Sequence, residues 1–249
     1  RAMSALPSVI FPLTLPGLLQ HALAPQPGSA STTLVICSSR DAFLQHLVQS
    51  LQHRGDGEPD GGLRDLTIPS LHNLSATRHV KLAFCASVQA LLAYLAAFGR
   101  GEPVQGLECG ENTRLVLVNP LSLHAPTPSF SAQGLSRTFA AAAETAVRTG
   151  VALQIVECEA QHKYREHQHD EDVDMTNGDG EGELDADTEE AESDPWEQEV
   201  SILNVSARRF GSTGGERAWA GRTVKARRIA ARWFYFNNLV AAQAQASPG

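Results

Sequence analysis

No apolar run in this chain reaches the roughly 18–20 residues that a membrane-spanning helix needs. The longest candidate, residues 6–23, is interrupted by Pro7, Pro12 and Pro16 and is followed by no cleavage signal, so no signal peptide is expected. Met3 reads as the natural start, with Arg1 and Ala2 as an addition ahead of it. Cysteine is scarce: Cys37, Cys85, Cys109 and Cys158 stand far apart, and no two form a C-x-x-C pair. Cys37, Cys85 and Cys158 lie inside apolar runs, which marks small buried hydrophobes in a reducing compartment and argues against a disulfide framework. Absent too are a G-x-S-x-G elbow and any zinc spacing of defined geometry.

What is present begins with an uneven charge. The formal net charge is −8, yet residues 170–199 hold fifteen Asp or Glu and no Lys or Arg. Without that block the remainder carries about +7 by the same formal counting. Residues 200–249 contain eight Lys or Arg against one Glu. The folded part is therefore expected to be basic, with the acid in an insert. Residues 170–194 have too few large apolar side chains to offset their ordering entropy, so disorder is expected there. The division expected is an N-terminal segment (1–30), a core (31–165), an acidic disordered insert (166–195), basic strands completing the core (196–240) and a flexible tail (241–249).

The remaining sequence alternates strand and helix patterns. Residues 33–37 (TLVIC), 80–84 (VKLAF), 114–118 (RLVLV) and 151–156 (VALQIV) are short β-rich runs. Between them, residues 41–52, 87–98 and 131–149 have helical spacing. The inward faces expected are Phe43, Leu44, Leu47, Val48 and Leu51, then Val88, Leu91, Leu92 and Leu95, then Leu135, Phe139, Ala142 or Ala143, and Ala146 or Val147. Strands alternating with helices imply βαβ units and a mostly parallel sheet covered on both faces. Val200–Val205, Ala207–Gly211 and, past a Gly-rich turn, Arg222–Phe236 follow, and these late segments read as a β-hairpin at one edge, with Ala207–Phe236 as its basic part. For Val224–Phe236, Ala226, Ile229, Ala230 and Trp233 fit a helix, whereas the run Trp233–Phe236 favours a strand; strand is preferred.

The order of elements resembles the core of RecA-like recombinases. RLVLVNPLSLH (114–124) looks like their third core strand and its loop, SFSAQGLSRTFAAAAETAVRTGVALQIVEC (129–158) like the long helix and strand that follow, and TTLVICSSRDAFLQHLVQSLQ (32–52) like the strand and helix after the phosphate-binding helix. The resemblance implies an α/β, three-layer RecA-like core with a C-terminal β-hairpin edge. A P-loop needs G-x-x-x-x-G-K-[ST], whose N–H groups, Lys and hydroxyl hold phosphate and Mg²⁺. Neither Gly28-Ser29 nor Gly214-Gly215 supplies it, and the strand and helix that carry it look reduced or missing before residue 32. Where an ATPase places a carboxylate for Mg²⁺, this chain has Asn119-Pro120. The resemblance thus implies a subunit that is not an enzyme and holds no cofactor or metal. Its relatives of this kind are paralogue subunits of recombination mediators, including the Shu type, or of the Elongator accessory ring. The first implies a paralogous partner, DNA and the nucleus; the second implies tRNA and the cytoplasm. The first is preferred.

Arg208, Arg209, Arg222, Lys225, Arg227, Arg228 and Arg232, with Trp219, Trp233 and Tyr235 among them, form the nucleic-acid site expected: cations for phosphates, aromatics for bases. A solvated face, or docking of the chain's own acidic insert, is the plainer reading of the same charges. His162, His167 and His169 match no zinc geometry. Ser122 and His124, with Glu157 and Glu159 at the next strand's end, outline a hydrolase site but lack an elbow and a group to orient the base. Ala5–Leu23 could add to a neighbour's sheet or pack on its own core; the two are weighed alike.

Overall fold

The computed structural model describes residues 6–24, 31–52, 71–100, 113–158, 194–202 and 222–238. Strands β1 (Ser8–Leu13), β2 (Thr32–Ile36), β3 (Val80–Phe84), β4 (Arg114–Val118) and β5 (Ala152–Cys158) are followed by a short antiparallel hairpin, β6 (Glu199–Ser201) with β7 (Thr223–Lys225), and by β8 (Tyr235–Asn238). All but the hairpin form one sheet in the order β3-β2-β4-β5-β1-β8, every pair parallel. Every residue of β2 and β4 is buried. That matches their unbroken apolar runs, since a parallel strand covered on both faces has no solvent side to mark with polar residues.

Two cores lie on opposite faces. On one face α1 (Leu15–Leu23) and α2 (Arg40–Gln52) set Leu15, Leu18 and Phe43 against Ile10, Leu34, Ile36, Val116, Val118 and Val156. A short helix, α3 (Leu71–Thr77), leads into β3. On the other face α4 (Val88–Ala97) and α6 (Ala132–Thr149) bring Leu91, Leu95, Leu135 and Phe139 onto Val35, Leu115, Leu117 and Ile155. Side-chain caps fix where the helices start. Ser39 accepts from the Ala42 N–H at 3.2 Å, Ser87 from Ala90 at 3.2 Å and Ser131 from Gly134 at 3.1 Å. Gly150 ends α6 at φ 70°, a left-handed turn that glycine adopts without steric cost.

The α/β fold of three layers with a small hairpin near the C-terminus is the one expected, but four local readings are corrected. A strand and a helix do precede Thr32: β1 lies inside the sheet between β5 and β8, so residues 8–23 pack on their own core. The three prolines hid this strand because each sits where an N–H is not needed. Pro7 lies before the strand, Pro12 falls where the β1–β5 register shifts between Ile10 and Leu13, and Pro16 lies in the first turn of α1. On α2 the inward face is narrower than its pattern: Phe43 is buried, whereas Leu44 and Val48 are 44% and 51% exposed. In the basic segment, residues 226–230 form a helix, α7 (Ala226–Ala230), and the strand begins only at Tyr235. Burial at helical spacing decides it, because Ala226, Ile229 and Ala230 all reach the core. The hairpin strand expected over 200–205 starts at Glu199 and runs to Ser201; residues 203–211 lie outside the described residues.

Candidate nucleic-acid interface and the strand ends

The basic segment is built on an aromatic floor. Phe139 of α6 meets Trp196 at 6.4 Å, Trp233 at 6.5 Å and Phe234 at 5.6 Å between ring centroids, and Trp196 stands edge-on to Phe236 at 5.3 Å. Burying Ala226, Ile229, Ala230 and Phe234 on this floor turns the cations of α7 outward. Trp233, expected to stack on bases, is itself part of the floor, whereas Tyr235 is 62% exposed.

The cations divide into two groups. Lys225 bonds Glu197 at 2.6 Å. The Arg227 guanidinium stands 4.7 Å from the Phe236 ring centre and 5.2 Å from that of Phe11, with Glu197 at 3.7 Å and Asp194 at 3.9 Å. The Lys225 hydrogen bond holds the Glu197 carboxyl below its ordinary range, and Glu197 in turn raises the Lys225 ammonium. Both cations therefore tie the turn at Pro195–Glu197 to the sheet edge, which fits the plainer reading for these two. Arg222, Arg228 and Arg232 are exposed, and no side-chain hydrogen bond or ion pair joins them to another described residue. Arg208, Arg209 and Trp219 lie outside the described residues, as do the acidic insert at 170–193, His162, His167, His169 and Glu159.

The carboxyl ends of the strands are where ligands of α/β sheets gather. Among the described residues, the ends of β1 and β4 are occupied by the chain's own groups. Between β1 and α1 there is a single residue, Thr14, whose hydroxyl accepts from the Gly17 N–H at 3.3 Å and whose carbonyl accepts from Leu18 at 2.9 Å. Pro16 has no N–H, and Leu15, Pro16 and Leu18 are buried. A phosphate cradle needs several free N–H groups facing outward, and this turn has no loop to supply them.

At the end of β4, Asn119 takes a left-handed conformation at φ 60° and its Oδ1 accepts from the Cys158 N–H at 2.7 Å. Its amide thus joins two strand ends and does not face outward. Asn119 makes no cap for α5 (Pro120–His124), but Glu157 on β5, 1% exposed, does so from the next strand. The Glu157 carboxylate accepts from the Leu121 N–H and, at 3.3 Å, from the Ser122 hydroxyl. Burial drives the neighbouring Cys37 thiol well upward, with Glu157 and then Cys85 adding to the effect.

His124, fully buried, bonds the Thr138 hydroxyl through Nε2 at 2.9 Å and the Ser129 carbonyl through Nδ1 at 3.2 Å. Burial lowers its pKa, and the Ser129 bond opposes this in part. Both ring nitrogens are engaged away from Ser122, so the Ser122–His124–Glu157 set is not brought together as a nucleophile and its base. The backbone there is tight: a Cβ on Gly134 would stand 2.1 Å from the same Ser129 carbonyl oxygen.

Sequence reading missed one group altogether, at the opposite end of the sheet. Arg114 heads β4 and is only 8% exposed, close to Thr32 and His21. The signal was a cation opening an otherwise apolar run, in a strand buried on both faces. Comparisons with protein families, with curated proteins and with solved structures find no match to this chain.

Proposed function

We propose that this chain is a non-catalytic, RecA-like subunit of a hetero-oligomer in the nucleus, binding DNA and a paralogous partner to assist homologous recombination or repair. The observation that carries the reading is the closed β1–α1 turn, where Thr14, Leu15 and Pro16 stand in place of a phosphate loop. The engagement of Asn119 with Cys158 supports it, because an amide stands at the end of β4 where an ATPase has a carboxylate for Mg²⁺, and the neighbouring Glu157 carboxylate is bonded to Leu121 and Ser122. The DNA contact falls to Arg222, Arg228 and Arg232, with Tyr235 as an exposed ring for a base. Lys225 and Arg227 hold the local structure.

Binding of single-stranded DNA, duplex DNA and tRNA, measured at several salt concentrations, tests this directly. The expected result is preference for DNA, with affinity falling steeply as salt rises. Replacing Arg222, Arg228 and Arg232 together by Ala is expected to reduce the log–log salt slope by roughly 2–3, about 0.7–0.9 for each phosphate no longer neutralised. An affinity indifferent to salt, or to the triple replacement, overturns the DNA contact. Preference for tRNA transfers the chain to the Elongator-type reading.

A further inference from the structure

At the amino ends of the strands, beneath the last turn of α1, a cation is buried without a counter-charge among the described residues. Arg114 is 8% exposed, and its side-chain hydrogen bond among those residues is from Nη2 to Thr32 Oγ1 at 3.4 Å, a long contact to a neutral hydroxyl. A guanidinium cannot shed its proton, so burial leaves it needing an acceptor of opposite charge. Two further buried polar atoms there lack any partner: His21 Nε2 and Gln154 Oε1. The register places them together. Arg114 pairs in the sheet with Thr32 on one side and Ala152 on the other, and Gln154 lies one step along β5 on the same face. Val116 and Val156, each two residues on from Arg114 and Gln154 and so on the same face, line the core that α1 covers, and His21 is in the last turn of α1. Arg114 also lowers the His21 pKa, second to burial, which fits a ring close to the guanidinium.

We propose that Arg114, Thr32, Gln154 and His21 form a binding site for a small tetrahedral oxyanion of the phosphate class. The chemistry of the four groups matches such a ligand and not a bare halide. Arg114 supplies the positive charge and paired N–H donors, suited to two oxygens of one phosphate. Gln154 Oε1 is an acceptor, which a protonated phosphate oxygen can satisfy with its P–OH. The imidazole Nε2 of His21 and the Thr32 hydroxyl each donate or accept as the remaining oxygens require. The site faces the sheet end opposite to the one where a nucleotide would sit in this fold class, so it does not depend on the function proposed above.

Thermal unfolding of the full chain in sodium phosphate, sodium acetate and sodium chloride at equal ionic strength tests the site without any substitution. Phosphate near saturation is expected to raise Tm by roughly 5 °C over chloride, as a ligand bound only to the folded state does. Acetate, which cannot offer a P–OH to Gln154, is expected to raise it less. Gln154→Glu sets a carboxylate beside the guanidinium and is expected to weaken phosphate binding at least about tenfold while the chain stays folded. Arg114→Met is expected to abolish the phosphate effect. Equal Tm in phosphate and chloride overturns the proposal, since water alone then meets these atoms. So does a phosphate effect that survives unchanged in Gln154→Glu, which places the anion elsewhere.

Discussion

The two ends of the parallel sheet treat buried polar groups in opposite ways. At the carboxyl ends every such side chain described above has a partner within the chain: Glu157 with Leu121 and Ser122, Asn119 with Cys158, His124 with Ser129 and Thr138. At the amino ends Arg114 has no carboxylate among the described residues, and His21 and Gln154 each keep a buried atom unmatched. A buried polar group bonded on all sides is structural, because removing it strands its partners. Unmatched groups clustered on one face are the ones with valence left for a ligand. Among the described residues, the polar groups at the customary ligand end of the sheet are taken up within the chain, and the unmatched ones lie at the end usually assigned to stability.

Substitutions can break that contrast. Glu157→Ala is expected to have the largest effect, about 3 kcal/mol off the urea-unfolding free energy, because it orphans the buried Leu121 N–H and the Ser122 hydroxyl at once. Glu157→Gln keeps an acceptor and is expected to lose about half as much. Asn119→Ala comes next at about 2 kcal/mol, from the stranded Cys158 N–H and the cost of a left-handed backbone without asparagine. Asn119→Gly should recover the backbone part alone, which a comparison of the two midpoints would show.

Thr138→Val is expected to cost about 1 kcal/mol by removing the hydroxyl on His124 Nε2. Gln154→Leu is the smallest: its buried amide oxygen has no partner, so stability in phosphate-free buffer should change by less than about 0.5 kcal/mol or rise slightly. A loss from Gln154→Leu as large as that from Asn119→Ala would abolish the distinction between the two ends.

The pH dependence carries the same contrast. His124 and His21 both have folded-state pKa values depressed, mainly by burial. Below histidine's ordinary value near 6.5 the unfolded chain takes up protons that the folded chain resists. Their contribution is thus present above that pH and is lost as pH falls through it towards the depressed folded values. Unfolding midpoints from pH 7.5 down to pH 5 should fall, and phosphate should reduce the fall at His21 by stabilising its protonated ring. His124→Gln should flatten the acid-side loss without altering the response to phosphate.

Much of the fold was legible because apolar runs announce strands buried on both faces: β2, β4 and β5 stand within a residue or two of their expected places. The face of α4 followed from helical spacing in the same way, and that of α6 did so except that spacing left Ala142 or Ala143, and Ala146 or Val147, to be decided by burial, which takes Ala142 and Ala146. β1 was hidden because proline usually signals a break, and only the tertiary register shows that Pro12 coincides with a shift in pairing. The basic segment was legible as charge but not as geometry. Nothing in its spacing distinguishes Lys225 and Arg227, which hold Glu197, from Arg228 and Arg232 beside them. Arg114 was illegible for a related reason: a cation at a strand's first residue ordinarily reaches solvent, and here α1 closes over it.

The position of β1 also sets a timetable. It is synthesised before the other described strands, yet its two neighbours pair through Gln154 and Tyr235, about 145 and about 225 residues further on. At a ribosomal pace of about 5–20 residues per second, its outer edge waits roughly 10–45 s for β8. Throughout that interval a strand reading SVIFPL has unpaired backbone on offer to any other nascent chain. The proline that obscured the strand in the sequence then has a second consequence: Pro12, which falls where the pairing with β5 shifts, offers no donor and makes β1 a poorer template for aggregation on that edge until β5 arrives.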